Sequence, residues 1–301
     1  GGSLVAPAQW IQTIDDLGDE RLVLYRKQAR REQAAYHAQV RALAARVVGS
    51  EAASPKVQLR RLPCAVAVHY NWDCLKRLIS ERKRRPDRQV LVDSVLLREG
   101  APDELVSLAS AAAGPGRVYA VRRELEQEFC MDVEWGEPVR YAVVCPVPRP
   151  LSELRPPLLV LDGLVSAKNL GQLIRSAVLL GVTSFVLTRA TWNCLNGRAC
   201  HASRGWFYHA NFHLATSSDD ATEACDSEAA SVSRDLPTAL AALRATGVRL
   251  YAAEESHSTP VAPHKPHGDR CWALVVGNED RGISPEVVAL CDERVRIPQR
   301  R

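Results

Sequence analysis

The sequence lacks any apolar run approaching the roughly 18 residues that a transmembrane helix requires, although 46% of its residues are hydrophobic. It has no Cys-x-x-Cys pair, its nine cysteines are an odd number, and no secretory signal pattern follows its first residues. These absences argue against a membrane span and a disulfide framework. They predict a soluble, intracellular protein of a reducing compartment, and they leave cytoplasm, mitochondrion and plastid equally open.

Positive charge is concentrated in the first third of the chain, although the net charge is only +4. Residues 21–61 contain ten Lys or Arg against two Glu, and residues 76–88 contain seven against one Glu and one Asp. Such stretches are common on solvated faces. They also match the electrostatic footprint of a segment that binds RNA.

At 301 residues, the chain is long enough for two domains. A proline-rich stretch at residues 146–157 predicts a linker, because proline favours extended conformations. We therefore predict a basic helical segment over residues 1–62, a small domain over 63–150 and a second domain over 151–301. Apolar residues repeating every seven positions predict a leading amphipathic helix over residues 19–48.

The small domain has a mixed pattern of short apolar runs and helical stretches, which is typical of an α/β or α+β fold. The predicted strands are residues 65–69, 89–93, 117–121 and 140–144. Helices are predicted over residues 102–113 and 122–129.

In the second domain, the aliphatic run Leu158–Asp162 predicts a strand buried on both faces. Apolar residues at helical spacing follow, with Asn169 as the predicted N-cap and Gly181 at the helix end. Asn169 and Gly171 are thus expected in or near a turn, and Arg175 about two helical turns later.

A second polar turn, residues 277–283, follows the predicted buried strand Cys271–Val276. Ser284 and Pro285 then predict the N-cap and first residue of another helix. Two such turns in an alternating strand and helix pattern indicate loops at the carboxyl ends of a parallel sheet, where α/β proteins bind ligands. The glycine spacing of the second turn does not fit a Rossmann dinucleotide-binding fingerprint.

These residues carry a family resemblance. The patterns N-x-G-x-x-x-R (Asn169–Arg175), G-N-E-x-x-G-I (277–283) and V-x-I-P (295–298) resemble, in order and spacing, the three signatures of the SpoU/TrmH branch of the SPOUT RNA methyltransferases. The resemblance spans residues 155–301. Residues 202–205 also resemble the family's S-x-G segment.

The resemblance implies a SPOUT-type, trefoil-knotted α/β domain that binds S-adenosylmethionine and methylates a ribose 2′-hydroxyl in rRNA or tRNA. It also implies a homodimer, and the ribosomal particle is a further expected partner. Residues 63–150 weakly resemble the ribosomal-protein-L30e-like domain that precedes the catalytic domain in many such enzymes, and we expect them to recognise RNA.

The resemblance also implies site residues. Those expected to act in catalysis are Arg175, Asn169 and Glu279, and those expected to bind the cofactor are Ala253, Gly277, Asn278 and Ile297. Arg175 would position the substrate, because a guanidinium is a poor proton acceptor. Asn169 would orient Arg175 or bond to a backbone carbonyl, and Glu279 would order its loop or bond to Arg175 or a substrate hydroxyl.

No metal site is expected. Cysteines and histidines cluster at positions 194, 200, 201, 209 and 213, but their spacing fits no common zinc finger.

The third signature stops at Gln299–Arg301, where the family continues through a serine and an asparagine into a helix. Two interpretations follow. The natural chain is longer and is an active methyltransferase, or the protein is a catalytically inactive RNA-binding or ribosome-assembly factor that retains the fold.

Overall fold

The structure, a computed structural model, describes residues 11–25, 65–68, 77, 90–114, 116–128, 140–146, 148–215, 235–254, 259–260 and 271–297. The strands are β1 (Ile11–Ile14), β2 (Ala65–Val68), β3 (Val90–Arg98), β4 (Val118–Val121), β5 (Arg140–Pro146), β6 (Leu158–Asp162), β7 (Ser184–Leu187), β8 (Asn211–Leu214), β9 (Arg249–Ala253), β10 (Thr259–Pro260), β11 (Trp272–Gly277) and β12 (Glu293–Arg296). The α-helices are α1 (Asp103–Ala113), α2 (Ala167–Leu179), α3 (Arg189–Trp192), α4 (Gly197–Ala202), α5 (Leu236–Ala245) and α6 (Pro285–Val288).

Packing divides the chain into two compact units. The first unit comprises residues 1–147 and 196–208, and the second comprises residues 148–195 and 209–301. The S-x-G segment therefore packs with the first unit, although it lies between the motifs of the second in sequence. The functional roles assigned to residues 1–62, 63–150 and 151–301 stay predictions.

The first unit contains a five-stranded mixed sheet in the order β1-β4-β3-β5-β2. Strands β1 and β3 run parallel to β4, and β5 runs antiparallel to β2 and β3. The four predicted strands are confirmed, and so is the helix predicted over residues 102–113, which is α1 and lies against β3 and β4. Strand β1 was not predicted, and within the helix predicted over residues 122–129, residues 123–128 form a 3₁₀ helix.

The predicted leading helix is wrong in its first turns, since Glu20–Tyr25 is a 3₁₀ helix. A buried chain of hydrogen bonds anchors it: Tyr25 Oη donates to Ser94 Oγ (2.7 Å), and Ser94 Oγ donates to Asp93 Oδ2 (3.0 Å). Asp93 lies at a β-bulge, which aims its side chain at this site, and Arg117 pairs with it at 2.8 Å. Residues 26–48 of the prediction lie outside the described residues.

The second unit contains a seven-stranded sheet in the order β10-β12-β9-β11-β6-β7-β8, in which every pair is parallel. Strands β6 and β7 are buried along nearly their whole length, as is typical of strands in a parallel sheet that is covered on both faces. Strands β9 and β11 bury only alternate residues, so the prediction that the strand before the second turn is wholly buried is wrong. The core combines residues of β6, β9 and β11 with α5 and α6. The fold is therefore α/β, as predicted.

The register of this sheet brings the two predicted turns together. Asp162, the last residue of β6, pairs with Gly277, the last residue of β11. Because the strands are parallel, the loops that follow leave from the same edge. Among the described residues, no helix combines the length and the apolar character needed to cross a membrane.

Candidate active site

The site begins with the short irregular segment between β6 and α2, residues 163–166, here called the entry turn. Glu279 binds its backbone: the Val165 N–H donates to Oε2 (3.2 Å) and the Ser166 N–H donates to Oε1 (3.1 Å). Asn169 Nδ2 also donates to Oε1 (3.2 Å). One carboxylate thus joins the two motifs across more than a hundred residues of sequence.

Asn278 provides a second link between the same segments. Its Nδ2 donates to the Gly163 carbonyl at 2.7 Å. Its Oδ1 accepts the N–H groups of Asp280 (2.9 Å) and Arg281 (3.0 Å), which folds the loop of residues 277–283 back on itself. Paired backbone hydrogen bonds between Asn278 and Gly282 close this second-motif loop.

Gly277 is required by the loop itself. A Cβ at this position would lie 2.2 Å from the carbonyl carbon of Gly282 and 2.3 Å from the Ile283 nitrogen, closer than real contacts allow. The returning backbone of the loop therefore already excludes every side chain at position 277, before any ligand is considered.

Asp162 ties the end of β6 to the start of α6. Its Oδ2 accepts hydrogen bonds from the Ser284 N–H (2.8 Å) and the Ser284 hydroxyl (2.7 Å). Ser284 occupies the predicted N-cap position and Pro285 the first helical position, but the Ser284 side chain binds Asp162 instead of the helix. Asp162 was not among the predicted site residues, although its place at a strand end beside Gly163 is a signal that the sequence contains.

Two residues that flank helix α3 also bind the entry turn. Thr188 Oγ1 accepts the Gly163 N–H at 3.0 Å, and the Cys194 thiol donates to the Val165 carbonyl at 3.1 Å. Five backbone polar groups of the entry turn are thus bound by four side chains: Thr188, Cys194, Asn278 and Glu279. Thr188 and Cys194 were not predicted to take part, because nothing local in their sequence indicates it.

Helix α2 begins three residues earlier than predicted. Ser166 is the N-cap, and its hydroxyl accepts the Asn169 N–H at 3.3 Å. Asn169 therefore lies within the first turn of the helix, which leaves its amide group available for Glu279.

Arg175 lies exposed further along α2. Among the described residues, no hydrogen bond or ion pair joins it to Asn169 or Glu279, so the predicted contacts with those two side chains are not formed. Six positions turn the helix by about 600°, which separates Arg175 from Asn169 by about 120° around the axis.

The remaining predicted residues lie at the ends of adjacent strands. Ala253 ends β9 and pairs with Val295 of β12, and Ile297 follows β12 directly. Ala253 is exposed, and Ile297 keeps 83% of its surface exposed. With Gly277 at the end of β11, they occupy one edge of the sheet.

The electrostatics of the site centre on Glu279. Burial acts to raise the pKa of this carboxyl, but hydrogen bonds from its own amide, from Val165 and Ser166 and from Asn169 outweigh burial and lower the pKa. The carboxylate is thus the form that binds the entry turn. Burial, and then the nearby Glu279 charge, raise the pKa of the Cys194 thiol, which keeps it protonated as a donor.

The cysteines and histidines that cluster in sequence are engaged elsewhere. His213 Nδ1 lies 2.9 Å from the Pro150 carbonyl oxygen, and Cys200 Sγ lies 3.8 Å from Tyr208 Oη. Within the described part of the chain, no group of three or more potential metal ligands comes together.

Comparison with known proteins adds the family. Residues 156–301 match the SpoU rRNA Methylase family. The 23S rRNA (guanosine(2553)-2′-O)-methyltransferase RlmP of Bacillus subtilis is 26% identical over 173 residues, which cover 58% of this chain and 61% of that protein. The chain thus spans about three fifths of the length of this curated relative.

Solved structures share the fold. An rRNA methyltransferase from Sinorhizobium meliloti superposes with a TM-score of 0.60 at 17% identity, covering 97% of this chain and 91% of that chain. The SpoU methyltransferase AviRb from Streptomyces viridochromogenes, in complex with AdoMet, gives a TM-score of 0.54 at 18% identity, covering 88% and 89%. The signatures thus lie in order, their loops meet at one sheet edge, and the region that carries them, residues 156–301, is the region that matches the SpoU rRNA Methylase family.

Proposed function

We propose that this chain is an S-adenosylmethionine-dependent methyltransferase that modifies a ribose 2′-hydroxyl of rRNA. The observation that carries the proposal is that Asn278 and Glu279 hydrogen-bond to the backbone of the entry turn. These bonds lie at the carboxyl edge of the parallel sheet, in the region that matches the SpoU rRNA Methylase family. This edge is where parallel α/β sheets bind ligands. The name of the Bacillus subtilis relative supports rRNA over tRNA as the substrate class.

Arg175 is the residue that we assign to the RNA. A guanidinium stays charged at any pH that a protein experiences, so Arg175 would hold a phosphate and stabilise the developing alkoxide, and the hydroxyl proton would pass to solvent water. The exposure of Arg175 supports this role, since a substrate can reach it. Asn169 and Glu279 are positioning residues that fix the start of the helix carrying Arg175.

The cofactor would be held by Ala253, Gly277, Asn278 and Ile297. These residues suit an adenosine group. The exposed Ile297 offers an apolar surface that the adenosine would cover, and the small side chain of Ala253 would leave room for it. Bound S-adenosylmethionine would supply the activated methyl group. The chain's own part is to order the second-motif loop beside that surface and to align the ribose hydroxyl.

The family match also supports a trefoil knot in the second unit, and an exposed apolar patch supports a homodimer. Leu179 and Leu180, at the end of α2, keep 55% and 84% of their surfaces exposed. A second copy of this chain would cover them.

The cysteines of the described residues support a reducing compartment, because four of them are free thiols: Cys194, Cys200, Cys271 and Cys291.

Methyl transfer from labelled S-adenosylmethionine to rRNA tests the function. We expect the full chain to make alkali-resistant linkages, as 2′-O-methylation does, in free rRNA or in a ribosomal particle.

Arg175→Ala should lower the rate of methyl transfer about 100-fold or more while leaving cofactor affinity unchanged, because the side chain acts on the RNA. Arg175→Lys should restore little, since an ammonium lacks the planar fork. Lys168→Ala, which removes an exposed cation from the same helix, is the matched control.

Two outcomes would overturn these assignments. Normal turnover by folded Arg175→Ala would make Arg175 structural. Tight rRNA binding without methyl transfer by the wild-type chain would instead support the inactive RNA-binding or ribosome-assembly factor.

A further inference from the structure

Residues 196–208, which pack with the first unit, form a segment without acidic side chains. Arg198, His201 and Arg204 are exposed within thirteen residues that contain no Asp or Glu. The segment thus carries the positive charges of two arginines with no acidic side chain of its own to offset them.

Helix α4 fixes the first two of these side chains. Asn196 caps the helix by accepting the N–H groups of Arg198 (3.0 Å) and Ala199 (3.4 Å). Ala199 and Cys200 are buried, whereas Arg198 and His201, three residues apart, share the exposed face. Two basic groups therefore point from one helix face to solvent.

Arg204 has a backbone conformation that is unusual for its residue type. Its φ is +49°, in the left-handed region that glycine adopts without strain, and Gly205 follows at +79°. Fully buried Ser203 locks this turn, because its hydroxyl donates to the Cys200 carbonyl (2.7 Å) and accepts the Phe207 N–H (3.2 Å). Glycine would suit position 204 better by about 1 kcal/mol, so the backbone does not explain an arginine there.

Trp206 and Arg77 add a stacking element. The Arg77 guanidinium lies 4.4 Å from the centre of the Trp206 ring, and both side chains are half-buried. This cation–π contact holds the two planar groups in a fixed arrangement. Aromatic rings and arginine planes are the surfaces on which unpaired bases stack in RNA recognition.

We propose that Arg77, Arg198, His201, Arg204 and Trp206, here called the basic aromatic patch, bind single-stranded RNA. This proposal rests on the proposed function, because it takes rRNA as the partner that the patch binds. The arginines and His201 would hold phosphates, and the exposed part of Trp206 would stack against a base. Because this stacking surface accompanies the charge, RNA fits the patch better than an acidic protein does.

The test uses Arg204→Gly in the full chain, with fluorescence anisotropy of a labelled single-stranded RNA. We expect the Kd to rise about 3- to 10-fold and the slope of log K against log salt to fall by about 0.7, the value for one phosphate contact on a single strand. The melting temperature should stay the same or rise, because glycine relieves the φ of +49°. A purely structural Arg204 could not lose affinity and gain stability together.

Arg198→Ala should act in the same direction, and it provides a second variant on a different element. The matched control is Arg123→Ala, which removes an exposed arginine from the 3₁₀ helix Arg123–Glu128 of the same unit. If Arg204→Gly and Arg198→Ala weaken RNA binding no more than this control, the proposal fails. It also fails if the variants lose affinity for polyglutamate but not for RNA, because the patch would then fit an acidic protein.

RNA binding is measured without S-adenosylmethionine, so the patch and the proposed function are tested separately. A loss of RNA affinity in Arg204→Gly supports the patch even where the wild type transfers no methyl group. If the wild-type chain transfers methyl groups, but Arg204→Gly and Arg198→Ala leave RNA binding unchanged, the patch is refuted and the proposed function is not.

Discussion

Replacing Glu279 tests whether the entry turn depends on the second motif. The carboxylate accepts three hydrogen bonds, from the Val165 and Ser166 amides and from Asn169 Nδ2, at 3.1–3.2 Å. Because Glu279 is exposed, each bond contributes near the low end of the usual range, about 0.5 kcal/mol. Glu279→Ala should therefore lower the free energy of opening the entry turn by about 1.5 kcal/mol, which is roughly tenfold in the opening equilibrium.

Glu279→Gln should have an unequal effect on the two amides. A glutamine can keep one oxygen in the place of Oε1, where it serves Ser166 and Asn169, but its NH₂ group then faces the Val165 N–H, which is also a donor. Hydrogen–deuterium exchange resolved to single amides should therefore speed up at Val165 more than at Ser166. In Glu279→Ala, both amides should exchange about ten times faster.

Asp280→Asn is the control, because it removes the same charge one residue later on the exposed surface of the loop. It should leave the exchange of Val165 and Ser166 unchanged. Equal acceleration in Asp280→Asn and Glu279→Gln would show that net charge, not the bonds, controls the turn. Unchanged exchange in Glu279→Ala would refute the coupling of the two motifs.

Two further predictions concern stability. Gly277→Ala should lower the free energy of unfolding by about 2 kcal/mol or more in denaturant titrations, because its Cβ would meet the Gly282 backbone at 2.2 Å; a stable variant would mean that the second-motif loop rearranges easily. Burial lowers the pKa of His213 below its ordinary value of 6.5, although the bond to the Pro150 carbonyl opposes this. The unfolded chain therefore takes up the proton first, so stability should fall as pH drops from about 6.5 toward the lower folded-state pKa. His213→Asn should flatten that slope in melting curves taken across this range.

Strands β6 and β11 of the second unit were predictable because each is a run of mostly aliphatic residues next to turn formers. Leu158–Asp162 has the predicted bounds, and the strand before Gly277 differs by one residue at each end. The meeting of the two motifs also followed from the sequence, since parallel strands carry their following loops at one edge.

The start of α2 was predicted wrongly because two adequate capping residues compete there. Ser166 and Asn169 both have short polar side chains that suit an N-cap. In the structure Ser166 is the N-cap, and the side-chain amide of Asn169 donates instead to Glu279, 110 positions away. No local pattern contains that contact.

Strand β1 and the packing of residues 196–208 were missed for the same physical reason. Ile11–Ile14 is too short to give a clear alternation, and its pairing with β4 is a contact across more than a hundred residues. Likewise, nothing within residues 196–208 indicates that they pack with the first unit and not with the motifs that flank them.

The hydrogen bonds between the entry turn and Glu279 have a consequence during protein synthesis. Ser166 is synthesised 113 residues before Glu279, whose carboxylate accepts the hydrogen bond from the Ser166 N–H. At about 5–20 residues per second, the turn waits about 6–23 s for its partner, with water as the substitute. In a nascent chain, the start of the helix that carries Arg175 is therefore not yet fixed by Glu279. Under the proposed function, the growing polypeptide could not align a ribose hydroxyl until β11 and the loop after it have been added.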